Sequence, residues 1–97
     1  MRIDLAPRHL HMVQTILQQH LPGQKVWLFG SRADGTAQQN SDIDLCIVNQ
    51  QALDVETRAN LKLAFSESNI PFVVDIVERA ATSAKFFESI QNKLVLN

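Results

Sequence analysis

Three short apolar runs limit what this chain can fold into. VWLF (Val26 to Phe29), IDLCIV (Ile43 to Val48) and FVVDIV (Phe72 to Val77) are rich in β-branched and aromatic residues and bounded by turn formers, so they read as strands. The first is apolar on both faces, the mark of a central strand. Two of them involve carboxylates. Asp42 stands at the mouth of the second run with Asp44 just inside it, and Asp75 interrupts the third. Residues two apart in a strand share a face, so Asp42 and Asp44 present like charges together. A strand gains nothing from that, and something should neutralise them.

The segments between the runs have helical spacing. From Arg8 to His20, Leu10, Val13, Ile16 and Leu17 fall on one face, with Asp4 as a candidate cap and Pro7 tolerable in the first turn. LPG (Leu21 to Gly23) stops this helix. A second helical pattern runs from Asp54 to Ser68. A third, capped by Ser83 or Thr82, contains Phe86, Phe87 and Ile90. Residues 30–42 read as a loop with room for one helical turn and an Asp34-Gly35 turn signal. The order is helix, strand, strand, helix, strand, helix. It predicts a small α/β (α+β) domain spanning residues 1–97, with a short mixed sheet of about three strands flanked by helices. Strand order does not follow from the pattern.

Bulk properties exclude several function classes. A chain of 97 residues is expected to form one domain, large enough for a core but too small for a catalytic domain plus a substrate domain. Its formal net charge is −1 and it has no basic stripe, so tight nonspecific nucleic-acid binding is not expected. No apolar run approaches the length of a membrane span, and MRIDLAPRH lacks the apolar stretch of a signal peptide. The single cysteine, Cys46, has no partner for an intramolecular disulfide and sits in an apolar run as a small buried hydrophobe would. A cytoplasmic protein is the default expectation.

If the third strand lies beside the second, Asp42, Asp44 and Asp75 converge. An uncompensated buried carboxylate at Asp75 would be costly, and a divalent cation is the simplest compensation. Hard oxygen ligands favour Mg²⁺ or Mn²⁺, which keep open positions for phosphate oxygens. Gly30-Ser31 supplies the complementary half. A glycine after a buried strand allows close approach of backbone to a phosphate, while the Ser31 hydroxyl and nearby amides can donate to phosphate oxygens. Arg32 adds a bidentate phosphate donor. These halves meet if the first two strands are antiparallel. Taken singly, Gly-Ser is a common turn, Ser41 or Asp42 can cap a loop, and Asp75 can pair with Arg79 or Lys62. Together they describe a nucleotide and metal site. His9 and His11 point different ways on a helix, His20 sits near a helix end, and Trp27 reads as core. Two adjacent phenylalanines, Phe86 and Phe87, cannot both face inward on a regular helix, which leaves one for a partner surface.

GSRADGTAQQNSDIDL, Gly30 to Leu45, resembles the signature of the polymerase-β-like nucleotidyltransferase superfamily, and most closely its minimal nucleotidyltransferase (MNT) branch. The resemblance extends over nearly the whole chain. It implies that Gly30 and Ser31 hold nucleotide phosphates, that Asp42 and Asp44 bind metal, and that Asp75 completes the metal site and helps activate an attacking hydroxyl. The branch usually reads Gly-Ser-Arg-Ala-Arg-Gly, and its second arginine is Asp34 here. If that arginine attracts the triphosphate, its loss weakens nucleotide affinity. Members typically act as antitoxins that transfer AMP from ATP onto a tyrosine of a HEPN-domain ribonuclease toxin. The implied function is thus a protein adenylyltransferase using ATP and Mg²⁺ or Mn²⁺. One alternative is a partner that neutralises the toxin by contact alone. Another is a nucleotidyltransferase acting on a small molecule. Its relatives carry an extra helical domain that this chain lacks, although a homodimer could supply the missing wall.

Overall fold

The structure, a computed structural model, describes residues 3–96. Helix α1 spans Pro7–His20, with its proline in the first turn, where the missing N–H would have no partner anyway. Val13 and Leu17, one turn apart, are its buried residues. The expected cap, Asp4, is not used. Ala6 holds the cap position without a side-chain bond, and the backbone of Asp4 is held by Arg32 instead. Strand β1 follows at Val26–Phe29, then a single helical turn, α2, at Ser31–Asp34. Gly35 closes that turn in the left-handed region at φ +86°, a conformation that strains residues with a Cβ. Strand β2 is Ile43–Ile47, helix α3 is Val55–Ser66, and strand β3 is Val74–Glu78. A 3₁₀ turn at Arg79–Ala81 leads to helix α4, Ala84–Ser89. Ser83 caps α4, accepting a bond from the Phe86 amide at 3.1 Å, and Ile90 lies just beyond its end.

Among the described residues the sheet has four strands in the order β3-β2-β1-β4. Strand β1 is antiparallel to β2 and to β4, while β2 and β3 are parallel. The mixed character matches the sequence expectation; the count of about three does not. The addition is β4, Leu94–Val95, and two residues are too few for alternation to show in a sequence.

Alternation divides the sheet into two unlike faces. Val26 and Leu28 of β1, with Ile43, Leu45 and Ile47 of β2, are fully buried and join Val13 and Leu17 of α1 and Leu61 and Phe65 of α3 in one core. Val74 and Ile76 of β3 pack against the same cluster. The opposite face carries Trp27, Phe29, Asp44, Cys46 and Asp75, and among the described helices the short α4 approaches it, with Lys93 also lying over the Trp27 ring. Phe87 stacks on Trp27 with centroids 5.2 Å apart, and Phe86 meets Phe29 edge-on at 6.2 Å. Both rings touch β1, but Phe87 is half-buried on Trp27 while Phe86 stays exposed beside Phe29, so one of the two adjacent phenylalanines is left facing out as the sequence leads one to expect. Trp27 is half-buried in this aromatic layer and outside the main core. Cys46 is buried and free, and burial pushes its thiol up from the ordinary value. Among the described residues no helix is long and apolar enough to cross a membrane.

Glu78 ends β3 on the core side, in alternation with Val74 and Ile76, and is only 8% exposed. Its Oε1 accepts from the Leu53 amide at 2.7 Å and from Asn49 Nδ2 at 3.2 Å, and its Oε2 pairs with Arg58 Nε at 2.7 Å. Arg58 also reaches the Leu53 carbonyl, and Asn49 Oδ1 accepts from the Ala80 amide. One carboxylate thus joins the loop after β2, helix α3 and the end of β3. Burial alone would push its pKa up. The bonds from Arg58, Leu53 and Asn49, with the Arg58 charge, outweigh that, and the net shift is downward from 4.5. Stability from a lowered carboxyl is present above its ordinary pKa and lost as pH falls through the folded value. Glu78→Ala is expected to lower unfolding free energy by about 3 kcal/mol at pH 7. It should also flatten the acid limb of stability below pH 4.5, both measured by urea denaturation across pH.

Candidate active site

The β1–β2 hairpin and the β2–β3 pair build the open face. Antiparallel pairing sets the end of β1 beside the start of β2, with Phe29 opposite Asp44. Parallel pairing sets Asp44 opposite Asp75. Neighbouring strands lie about 4.8 Å apart, so these two carboxylates leave the sheet side by side on the same face. Asp42, two residues before Asp44, flanks them from the loop. Asp42 and Asp75 are exposed and Asp44 is half-buried. The expectation of a buried Asp75 is corrected here: β3 is an edge strand, and its side opposite the core is open. Neither Arg79 nor Lys62 forms a salt bridge with it.

Burial, followed by the charges of Asp75 and Asp42, raises the Asp44 carboxyl above its ordinary value. Among the described residues no basic side chain offsets this shift. The three carboxylates do not form a closed cage either: among the described residues no group of three His, Cys, Asp or Glu side chains is arranged to hold an ion. An open arrangement of hard oxygens nonetheless fits Mg²⁺ or Mn²⁺. Mg²⁺ usually keeps waters and is shared between one or two carboxylates and substrate phosphates, without an all-protein cage. A raised Asp44 and an unbalanced acidic face are the chemistry such a cation would offset.

Gly30 joins the carboxylates to the turn. It has φ +74°, and an added Cβ would overlap Oδ2 of Asp44 and stand 3.2 Å from its Cγ. Glycine is required here by close packing as well as by backbone conformation. Ser31 opens α2, and its hydroxyl has no hydrogen-bond partner among the described residues. The first amides of the turn have no acceptor within it. Beyond the turn lies a hollow of about 290 Å³, lined in part by Phe29, Gly30, Asp34, Phe86, Gln91 and Asn92. A larger one, about 640 Å³, borders Asp75 at the free edge of β3, with Phe65, Phe72 and Lys62 among its walls.

Arg32 departs from its expected role as a phosphate donor. It is 5% exposed, and its guanidinium donates to the carbonyls of Asp4, Ser41 and Gln39. Its donors are turned inward. Asp34 accepts from the amide and hydroxyl of Thr36, which lowers its carboxyl pKa and keeps a negative charge in the turn. Sequence reasoning did not find the layer of Phe29 and Phe86 beside the turn. The available signal was the period-2 spacing that sets Phe29 on the same side as Trp27.

A family model described as polymerase beta, nucleotidyltransferase matches residues 11–97. The chain belongs to this family. It is a nucleotidyltransferase, as the resemblance carried by Gly30 to Leu45 implied. A probable protein adenylyltransferase, MntA, from Haemophilus influenzae (strain ATCC 51907 / DSM 11121 / KW20 / Rd) is 44% identical over 95 residues, covering 98% of this chain and 83% of the relative. A crystal structure of a toxin-antitoxin with AMP-PNP matches with a TM-score of 0.74 at 26% identity, covering 91% of this chain and 72% of that one. The fold is shared as well by a structure of a tri-AMPylated Shewanella oneidensis HEPN toxin in complex with an MNT antitoxin. That match has a TM-score of 0.71 at 20% identity and covers 96% of this chain and 72% of the other.

A carboxyl whose folded pKa is raised contributes stability below its ordinary pKa and loses it as pH rises through the folded value. With no cation added, ionised Asp44 therefore opposes folding at pH 7. Asp44→Asn is expected to raise the melting temperature of the metal-free protein at pH 7, with the gain shrinking as pH is lowered. Differential scanning calorimetry in chelator checks this; an unchanged or lower melting temperature at pH 7 contradicts it.

Proposed function

We propose that the protein is an antitoxin-type adenylyltransferase that transfers AMP from ATP to a hydroxyl, a tyrosine by the family resemblance, of a cognate HEPN ribonuclease toxin. The observation that carries this reading is the side-by-side placement of Asp44 and Asp75 against the Gly30–Ser31 turn. A pure binding surface does not require that acidic pair. The 44% identical relative named a probable protein adenylyltransferase supports the reaction class. The toxin-antitoxin structure with AMP-PNP supports an ATP-like donor and a toxin partner. These 97 residues include no tyrosine, so a tyrosyl acceptor is not among them. A reaction that draws on ATP and a ribonuclease partner fits the cytoplasm.

Gly30 and Ser31 receive the triphosphate, with the Ser31 hydroxyl and the turn amides as donors. Asp42 and Asp44, with Asp75, would hold Mg²⁺ or Mn²⁺, which supplies charge neutralisation for the phosphate oxygens when bound. The hollow beside Phe29 and Phe86 offers the base an aromatic wall, and the hollow beside Asp75 gives the acceptor an approach from the β3 edge. Asp75 orients the hydroxyl and accepts its proton as the oxygen bonds to the α-phosphorus. The bond from the α-phosphorus to the bridging oxygen breaks, and pyrophosphate leaves with that electron pair. The products are AMP-modified toxin, pyrophosphate and one proton.

Asp34 favours a second reading, neutralisation by contact alone, because it sets a fixed negative charge where the family usually has an arginine. Intact mass spectrometry of the partner separates the two. With ATP and Mg²⁺ its mass should rise in steps of one AMP, and Asp75→Asn should abolish the steps while the complex still forms. A silenced partner with no added mass under either metal would overturn the enzyme reading.

Nucleotide affinity tests the turn. Ser31→Ala is expected to weaken ATP binding by about 1–2 kcal/mol, the scale of one hydrogen bond to a charged group. Asp34→Arg should tighten binding by exchanging a repulsive charge for an attractive one. Isothermal titration in Mg²⁺ reads both changes.

A further inference from the structure

We infer that Arg32 is a positioning residue that sets the two carboxylate strands against the phosphate turn. It leaves α2 at the second residue after Gly30 and runs inward. Nη1 donates to the Asp4 carbonyl at 2.9 Å, Nε to the Ser41 carbonyl at 3.0 Å, and Nη2 to the Gln39 carbonyl at 3.4 Å. Its own carbonyl accepts from the Asp4 amide at 2.9 Å. The guanidinium plane lies 4.1 Å from the centroid of Phe72, whose ring meets His9 edge-on at 5.4 Å.

These partners are the residues that govern where the carboxylates stand. Ser41 immediately precedes Asp42, and it closes its loop through its own bonds with Gln38. Phe72 lies three residues before Asp75. Between them, the Ile43 amide donates to the Val73 carbonyl and locks β2 to β3. One side chain therefore spans the phosphate turn, the loop before Asp42, the chain before β3 and the segment before α1. Only a planar fork with several donors and a stackable face can make all of these contacts; an ammonium group matches neither the geometry nor the stack. Turning Arg32 outward to a phosphate would leave three carbonyls without their donor and uncover Phe72.

The loop of residues 36–42 has few other ties, so loosening this fork displaces Asp42 while the Gly30–Ser31 turn still closes through its own backbone bonds. The consequence for turnover rests on the adenylyltransferase reading above; the consequences for loop protection and cation affinity do not.

Arg32→Lys keeps the charge and loses the fork, and Arg32→Met keeps length and loses both. Both are compared with wild type in the full chain by three measurements: amide hydrogen exchange over residues 36–43, Mn²⁺ affinity without nucleotide, and kcat and KM for ATP with the cognate partner. Both variants are expected to exchange at least tenfold faster over that segment, bind Mn²⁺ at least tenfold more weakly, and lose kcat at least tenfold, with KM for ATP within threefold of wild type. If Arg32→Lys restores kcat while Arg32→Met raises KM tenfold, Arg32 is a phosphate ligand and the inference is wrong. Lower melting temperatures with exchange and Mn²⁺ affinity unchanged on the folded fraction would overturn it equally. Should both variants fail to fold, Phe72→Leu removes the stacking face, with His9→Ala as the control that removes only the edge contact of that ring. Phe72→Leu must then accelerate exchange over residues 36–43 by at least threefold, and no acceleration sinks the proposal. A wild type that transfers no AMP defeats the adenylyltransferase reading alone, because exchange and Mn²⁺ affinity still decide Arg32.

Discussion

Two like charges held at matching positions on neighbouring parallel strands are the constraint around which this molecule is arranged. Asp44 and Asp75 are register partners, and the ladder leaves neither strand free to slide away from the repulsion. Register is fixed because a shift of one residue would turn Ile43, Leu45 and Ile47 out of the core and bring Asp44 into it. Hydrophobic burial on one face thereby enforces electrostatic crowding on the other. Each fully buried leucine or isoleucine of these strands is worth about 2–3 kcal/mol, so the core carries the repulsion with a margin. This is the sense in which the site is strained: its charges are held close by packing that has nothing to do with them.

The same division of labour explains why the helices are distributed so unevenly. Both long helices, α1 and α3, lie on the core face, and only the six-residue α4 lies on the other. A longer helix there would cover Asp44 and Asp75. The open face is instead bounded at one side by aromatic contacts of Phe86 and Phe87 and left free at the β3 edge. Glu78 makes that edge sturdy without covering it. Its bonds tie the end of β3 to α3 and to the loop after β2 from the core side, so the strand that carries Asp75 is anchored although its outer edge has no neighbour among the described residues.

Much of this was legible in the sequence because it depends on local pattern. VWLF appears as β1 with the expected bounds, and IDLCI as β2, since apolar runs between turn signals leave few alternatives. The Asp-x-Asp spacing placed two carboxylates on one side of the chain for the same reason. What escaped depends on partners distant in sequence. Arg32 looks like a phosphate donor beside Gly-Ser; its burial is settled by carbonyls at residues 4, 39 and 41, which no spacing rule connects to it. The apolar neighbours of Asp75 suggest burial, but Val74 and Ile76 alternate with it onto the core face and leave it on the face opposite, which is uncovered at β3. Glu78 was overlooked although its alternation with Val74 and Ile76 put it on the core side, because a carboxylate there is credible only once Arg58 and Asn49 are seen to meet it.

The turn's charge balance then follows from these placements. Arg32 is turned inward, and Asp34 contributes a negative charge held ionised by Thr36. Among the described residues the immediate surroundings of Gly30 and Ser31 thus contain neutral donors and carboxylates, with the Arg32 guanidinium turned away. On the proposed function, a triphosphate entering this turn meets net repulsion unless a divalent cation accompanies it. Nucleotide and cation affinity become coupled, because each supplies the opposite charge that the other lacks in this site. An arginine at position 34 would relax that coupling by giving the phosphates a permanent counter-charge. On the same reading, aspartate at that position leaves the acidic face, and not the turn, as the element that decides when nucleotide is held.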